Sequence, residues 1–416
     1  MLFIKGPLQW IGQWNDFSYY SFEISDWLIN YEGGFVRRGI IGQLLYAIYQ
    51  WHPYPVNVAI QCMYVGSFIL FVYCIVRLFR KEGWSVFSLL CLAFLGRYLT
   101  AHLVWFRRDF LMLLAVYVLF YLFRRYLQKR NVWTWVGIQV VSVLSILSHE
   151  ATFFFSVPLL MCVWAFTRYR ESGSFVKSVL SSLAFFALPL SAMCAVCIFK
   201  GDQSVVDAIW ASWQPCMEQF PHTGGELNVH NGVNALAWDS KQTFHMHIFT
   251  NYLCNFHPEI RYRYLPSALL TLFNFVLVYY FVTRINTVDL KWNRLKPLGI
   301  ICMSNIALLQ FVFMIPMFTV LSCDLGRTIP YWAFSTLFAY HFLHGEEVRF
   351  PSLLTACSTW LQHIIDRLKW LSSPWVYALL LFYLPLSSVG GASYGASWLI
   401  RFIRWGWHLT QNLLCL

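Results

Sequence analysis

The sequence predicts an all-α, polytopic integral membrane protein, and three observations predict it. The chain of 416 residues is 58% hydrophobic and only 12% charged, against roughly 25% charged in soluble proteins. Long stretches hold no Asp, Glu, Lys or Arg at all: 56–76, 84–96, 110–123, 131–149, 151–167, 178–199, 264–283, 297–323, 328–345 and 370–400. The charges return at the ends of these stretches. A charge in hydrocarbon is costly, so such runs read as membrane-spanning helices. Lipid cannot satisfy an open sheet edge, which leaves helices as the spanning element. About ten to twelve spans are expected in one membrane-embedded domain, 1–416.

The order of elements follows from the basic segments. Arg77, Arg80 and Lys81 close the run 56–76. Arg124, Arg125, Lys129 and Arg130 follow the next pair of runs, then Arg168, Arg170 and Lys177, then Arg284, Lys291, Arg294 and Lys296. Arg349, Arg367 and Lys369 mark the last. Placing these on the cytoplasmic side obeys the positive-inside rule. Each interval between them then needs an even number of crossings, so each must contain a break on the other side. The breaks fall at 97–109, at Ser148-His149-Glu150, at the long polar loop 200–262, and at Cys323-Asp324-Leu325-Gly326-Arg327. Residues 1–55 fall on that same side, with an apolar surface helix at 39–51. No span precedes them and no signal peptide is visible. Either the first apolar run draws them across, or a further helix precedes position 1. The last span is expected near 373–389, before a basic apolar tail at 398–416.

Net charge is +11. In a soluble domain that would point to nucleic acid. Here the basic residues sit in short loops, so no nucleic-acid partner is expected. Twelve Cys are scattered, mostly within apolar runs, and read as small buried hydrophobes; Cys194-x-x-Cys197 has no second pair to make a metal site.

The chemistry-bearing residues gather on the non-cytoplasmic side. The first segment carries Asp16, Glu23, Asp26 and Glu32, then Gly33-Gly34-Phe35-Val36-Arg37-Arg38-Gly39. Two guanidinium groups at a helix start suit a phosphate. The second break carries Arg97, His102, Arg107, Arg108 and Asp109; Asp109 complements a helix dipole, while the arginines run against the usual charge bias and call for an anionic partner. The third carries His149 and Glu150, which do not form H-E-x-x-H because position 153 is Phe. The fourth pairs Asp324 with Arg327, either locally or around a phosphate. The long loop holds Asp202, Asp207, Glu218 and five His in no metal template, and Trp210, Trp213 and Trp238, which could stack on sugars or anchor at the interface. No resident cofactor is called for, and a divalent metal is left open.

The order of these motifs, Gly33 to Gly39, Arg107-Arg108-Asp109, His149-Glu150 and Asp324 to Arg327, resembles bacterial multi-pass proteins of surface-polysaccharide gene clusters. The layout is similar to Wzy- or EpsG-type polysaccharide polymerases and GT-C glycosyltransferases. The resemblance implies a GT-C-like architecture in the inner (cytoplasmic) membrane with its site facing the periplasm or exterior. It implies a polyprenyl-(di)phosphate-linked sugar or oligosaccharide as donor within the lipid, and a base among Asp16, Glu23, Asp26 and Glu32. It departs from GT-C enzymes in having no span before the acidic segment and no adjacent acidic pair. Arg37, Arg38, Arg107, Arg108 and Arg327 are the candidate phosphate-binding groups, with His149 and Glu150 as candidate catalytic groups and Asp109 and Asp324 in support. A lipid-linked oligosaccharide flippase is the alternative, and a glycan-modifying acyl- or phosphotransferase with His149 as base the third reading. A transporter would need ionisable groups near the midplane, and most spans have none.

Overall fold

The computed structural model describes residues 18–82, 86–100, 107–221, 231–239, 241, 243–244, 264–283, 297–322, 325–343, 350–367, 373, 375–376 and 379. Among the described residues every regular element is helical. Four helices are long and apolar enough to cross a membrane: Val56–Lys81, Asp109–Gln128, Ala151–Ser172 and Cys302–Thr319. A bent pair, Phe175–Phe185 with Ala187–Ile198, makes a fifth if it counts as one span. Others are apolar but shorter, such as Val132–Ser148. The expected span near 373–389 lies almost wholly outside the described residues, and the tail 398–416 wholly so.

By internal contact the chain divides into two compact units. The first comprises 1–76, 102–240 and 342–348. Its elements are α1 (Phe22–Ser25), a 3-10 turn (Asp26–Leu28), α2 (Gly39–Trp51) and α3 (Val56–Glu82), whose last residues count with the second unit. The second unit's α4 (Val86–Thr100) intervenes in the chain. The first unit resumes with α5 (Asp109–Gln128), α6 (Val132–Ser148), α7 (Ala151–Phe154), α8 (Val157–Ser172), α9 (Phe175–Phe185), α10 (Ala187–Ile198) and α11 (Gln203–Gln219).

Helix α6 is the hub, packing on α5, α10, α2 and α7, while α8 packs on α9. The break expected at 148–150 is where the structure leaves the helices. Of 97–109, residues 97–100 still belong to the helix Val86–Thr100, Arg107 and Arg108 precede the helix that starts at Asp109, and 101–106 lie outside the described residues. One expected span behaves differently. The run 178–199 bends by 66° between α9 and α10. Pro189 explains it: proline has no N–H to bond Phe185, four residues back, and its ring crowds that carbonyl. Gln139 of α6 takes over, its Nε2 donating to the Phe185 carbonyl at 2.9 Å. The Phe185 ring sits among Tyr126, Trp164, Phe186 and Phe123 at centroid distances of 4.7 to 6.3 Å. Such aromatic pairs add about 0.5–1.5 kcal/mol each beyond their burial. The bend is therefore locked.

The segment 200–262 is not simply a polar loop. Its first part is α11, a helix of 17 residues. Val206, Ile209, Trp213 and Cys216 are its buried residues, at the helical spacing of one face. Asp202 caps it, its carboxylate accepting from the Val205 amide at 3.1 Å. Cys194 and Cys197, expected to be buried, are exposed on α10. On a helix facing lipid, the outer surface is as apolar as the core, so a cysteine suits either side.

The second unit holds α4, α12 (Tyr264–Val282), α13 (Pro297–Thr319), α14 (Leu325–Leu343) and α15 (Ser352–Arg367). Helix α13 packs on α12 and α15. Phe275, Phe311, Phe318 and Trp332 form one aromatic cluster there, and the Trp332 indole donates to the Ala307 carbonyl at 3.0 Å.

Candidate functional site

One end of the first unit's helices carries a buried ionic cluster. The N-terminal end of α5, the C-terminal end of α6, the short α7 and the segment before α2 all deliver charged side chains to it. At the opposite ends lie the basic residues 124–130 and 168–177.

Arg38 stands at the centre. Its Nε donates to Glu150 Oε2 at 2.9 Å and its Nη2 to Oε1 at 2.5 Å. Its Nη1 lies 3.3 Å from Asp26 Oδ1. One guanidinium thus ties residues 12 and 112 positions apart in sequence. The backbone of Arg38 is left-handed, with φ +66° and ψ +7°. For a residue with a Cβ this costs about 1–3 kcal/mol, and such strain persists only where the surroundings fix it. Here it turns the chain sharply into α2 at Gly39.

Arg108 lies beneath, 1% exposed. Its Nε is 3.1 Å from Asp26 Oδ2. Its Nη1 donates to the Ser148 carbonyl at 2.7 Å and the Arg38 carbonyl at 3.0 Å. Its guanidinium also faces the Trp27 ring. Arg108 therefore closes the free carbonyl end of α6 and pins the strained residue of α2. Arg107 stacks over Phe22 at 4.2 Å, and its Nε is buried without a hydrogen-bond partner.

Arg37 differs from both. Its side chain is 29% exposed, and its Nη1 stands 3.8 Å from Glu150 Oε1, beyond hydrogen-bond range. Its Nη2 reaches the Ala235 carbonyl at 3.3 Å, while Nε is buried with no partner. Its amide is held by the Phe199 carbonyl at 3.1 Å.

The glycines around these arginines have specific reasons. Gly34 has φ +105° in the turn closed by its amide on the Tyr31 carbonyl at 3.0 Å. A Cβ on Gly42 would stand 2.0 Å from the Ile29 carbonyl oxygen, and one on Gly39 2.2 Å from the Tyr31 ring. The first turns of α2 thereby press on the segment that carries Asp26.

From the other side that segment is held by the chain beyond 200. The Trp213 indole donates to the Leu28 carbonyl at 2.7 Å, Asn30 to the Ser212 hydroxyl at 2.8 Å, and the Gly232 amide to the Ser25 hydroxyl at 2.7 Å. A Cβ on Gly232 would lie 2.6 Å from the Asp26 amide nitrogen. Sequence reasoning did not find these supports. The signal for α11 was present in the spacing of Val206, Ile209, Trp213 and Cys216; nothing local marks Gly232.

Electrostatics follow the geometry. Burial alone would raise the Asp26 carboxyl, but Arg108 and then Arg38 outweigh it and hold it well below the usual carboxylate range. Burial would likewise raise Glu150, and Arg38, by charge and hydrogen bond, with help from Arg37, carries it well below that range. Burial pushes His149 down to about 3, and the positive charge of Arg38 adds to this. His149 is therefore neutral. Its Nδ1 accepts the Ala151 amide at 3.2 Å, which assigns the ring hydrogen to Nε2. In that tautomer His149 is a hydrogen-bond donor at Nε2, not a base.

The structure thus brings together Asp26, Arg37, Arg38, Arg108, His149 and Glu150. Arg107 and Asp109 are buried beside them in sequence, at the start of α5. Glu23 is half-buried in α1, and Glu32 is exposed, accepting from Gln43 at 3.2 Å. Arg327 belongs to the second unit, where its Nη2 reaches the Tyr331 hydroxyl at 3.2 Å. Asp16, His102 and Asp324, the side chain of Arg97, and the five His of the long loop lie outside the described residues. Trp213 is a core residue, 1% exposed. Among the described residues no three His, Cys, Asp or Glu side chains gather as a metal-holding group.

Among the described residues, fold and site define a helical protein with four or five helices long and apolar enough to cross a membrane and an arginine–carboxylate cluster at one helical end. Compared with protein-family models, curated proteins and solved structures, the chain matches none.

Proposed function

We propose that this protein is a glycosyltransferase or polysaccharide polymerase of the inner membrane, acting at the extracytoplasmic face on a polyprenyl-(di)phosphate-linked sugar donor. One observation carries the reading. Of three clustered guanidinium groups, Arg38 and Arg108 are 17% and 1% exposed and ion-paired to carboxylates at 2.5–3.3 Å, while Arg37 is 29% exposed, reaches the Ala235 carbonyl, and stands 3.8 Å from Glu150. With three guanidinium groups against two carboxylates and a neutral His149, the cluster keeps a positive excess. That suits one phosphate group approaching through Arg37.

In glycosyl transfer an acceptor hydroxyl oxygen attacks the anomeric carbon, and the bond to phosphate breaks with its electron pair leaving on the phosphate. Arg37 stabilises that developing charge. In this reading the His149 Nε2–H donates a further hydrogen bond. Glu150, 15% exposed, accepts from the attacking hydroxyl. It is too acidic to keep the proton, because its arginine partners favour the ionised form. A phosphate with a second pKa of about 6 is the stronger base. The proton therefore ends on the departing phosphate, and the carboxylate orients the hydroxyl. Asp26, 4% exposed and shared by two guanidinium groups, positions Arg38 and Arg108.

The test replaces the gene in its own host by the Arg37→Ala form. Surface polysaccharide should be lost while the protein stays at normal level. Polymer retained at normal protein level overturns the proposal.

A further inference from the structure

Helix α11 has two working faces. On the buried face with Ile209 and Cys216, Ser212 and Trp213 bond to the segment that holds Asp26. The stripe Asp207, Trp210, Gln214 and Glu218 faces the other way and lines a cleft of about 600 Å³ with Tyr20 and Met217. The spacing 207, 210, 214, 218 is one helical stripe. This cleft is separate from the arginines: no Lys, Arg or His lines it among the described residues.

The cleft is a constructed surface. The rings of Trp210 and Tyr20 meet at 5.0 Å and 43°. Trp210 cannot swing freely, because its indole donates to Asn234 Oδ1 at 2.8 Å, and Asn234 is itself set by Asn231 through its amide at 2.9 Å. Gln214 donates to Glu218 at 2.8 Å, and Gln203 to Asp207 at 2.8 Å. These pairs hold the carboxylates upright, yet each carboxylate keeps lone pairs for further donors. Two acids without a cation repel a phosphate. Fixed aromatic faces flanked by hydroxyl acceptors fit a polyol with one apolar face.

We propose that this cleft binds the sugar rings of a neutral saccharide, as the glycan subsite of the same enzyme. The inference rests on the proposed transferase reading for its role, but not for its ligand chemistry. Phosphate is drawn to Arg37 by charge, and the uncharged glycan is held by Trp210, Tyr20, Asp207 and Gln214. Helix α11 bridges the two, since its opposite face supports the Asp26 segment.

The full chain in lipid nanodiscs is to be probed with three neutral hexasaccharides, maltohexaose, chitohexaose and mannohexaose, by saturation-transfer NMR. At least one should receive saturation on its ring protons. Trp210→Ala should weaken it about tenfold, with Trp210→Phe closer to the natural chain and Trp51→Ala unchanged. Gln214→Ala should weaken it with an unaltered melting temperature, which keeps the test sound if Trp210→Ala misfolds. Binding of none of the three, or binding indifferent to both Trp210→Ala and Gln214→Ala, overturns the subsite. Farnesyl phosphate added to the same samples separates the two ideas: hexasaccharide bound without farnesyl phosphate upholds the cleft and sinks the donor reading, and farnesyl phosphate bound without any hexasaccharide does the reverse.

Discussion

The two ends of the first unit's helices both carry arginine–carboxylate pairs, and they are not equivalent. At one end Glu171 pairs with Arg130 and Arg168, with side chains 35–46% exposed. At the other, Arg38, Arg108, Asp26 and Glu150 pair with side chains 1–17% exposed. The exposed pairs compete with water and contribute about 0–1 kcal/mol each. The buried ones have given up their hydration, so removing one partner strands the other at a cost of about 3–5 kcal/mol. The same chemistry is therefore trim at one end and framework at the other. Within the framework the arginines divide again. Arg38 and Arg108 are tied to carboxylates and backbone carbonyls, and Arg37 is the most exposed of the three, the one proposed to meet a ligand.

The sharpest contrast comes from breaking each kind of pair. Glu150→Ala or Asp26→Ala should destabilise the protein by about 3–5 kcal/mol and deplete it in the membrane, as read by thermal denaturation in detergent. Gly42→Ala should be of the same order, because a methyl 2.0 Å from the Ile29 carbonyl oxygen has no room; equal melting temperatures for Gly42→Ala and the natural chain would contradict the tight packing of α2 on the Asp26 segment.

Acid should act on the buried end in a defined direction. Asp26, Glu150 and His149 all have folded-state affinities for protons below their unfolded values. The unfolded chain thus binds more protons, and stability falls as pH drops. For His149 the window runs from about 6.5, its ordinary value, down to about 3. Within it one group contributes a slope of at most about 1.4 kcal/mol per pH unit. His149→Asn should flatten melting temperature against pH between 6 and 5, above the range of the carboxylates. An unchanged slope would mean that His149 is not buried neutral. Smaller again, Glu171→Ala should shift stability by less than about 1 kcal/mol, and a larger loss would erase the distinction between the ends.

Much of the buried cluster was readable from sequence for one reason. Lipid excludes charge from the spans, so charges interrupting apolar runs on one side must share a surface. That placed Arg37-Arg38, Arg107-Arg108 and His149-Glu150 together. Roles within the cluster were not readable. Arg37 and Arg38 are neighbours of the same type, and only the left-handed turn at Arg38 sends one inward and leaves the other half-exposed. Gly42 reads as a turn former until the Ile29 carbonyl is seen against it. The bend at Phe186 had a visible cause in Pro189, overridden by the uninterrupted hydrophobicity of 178–199. Helix α11 was hidden because its polar stripe, the one lining the cleft, made the whole segment look like loop.

The central claim is that Arg37 recognises the anion while its neighbours maintain the fold. Titrating farnesyl phosphate into the natural chain and Arg37→Ala in nanodiscs, with melting temperature recorded on the same samples, tests it most directly. The account predicts at least about tenfold weaker binding for Arg37→Ala at a stability within about 1 kcal/mol of the natural chain. Undiminished binding, or a variant as unstable as Glu150→Ala, would contradict it.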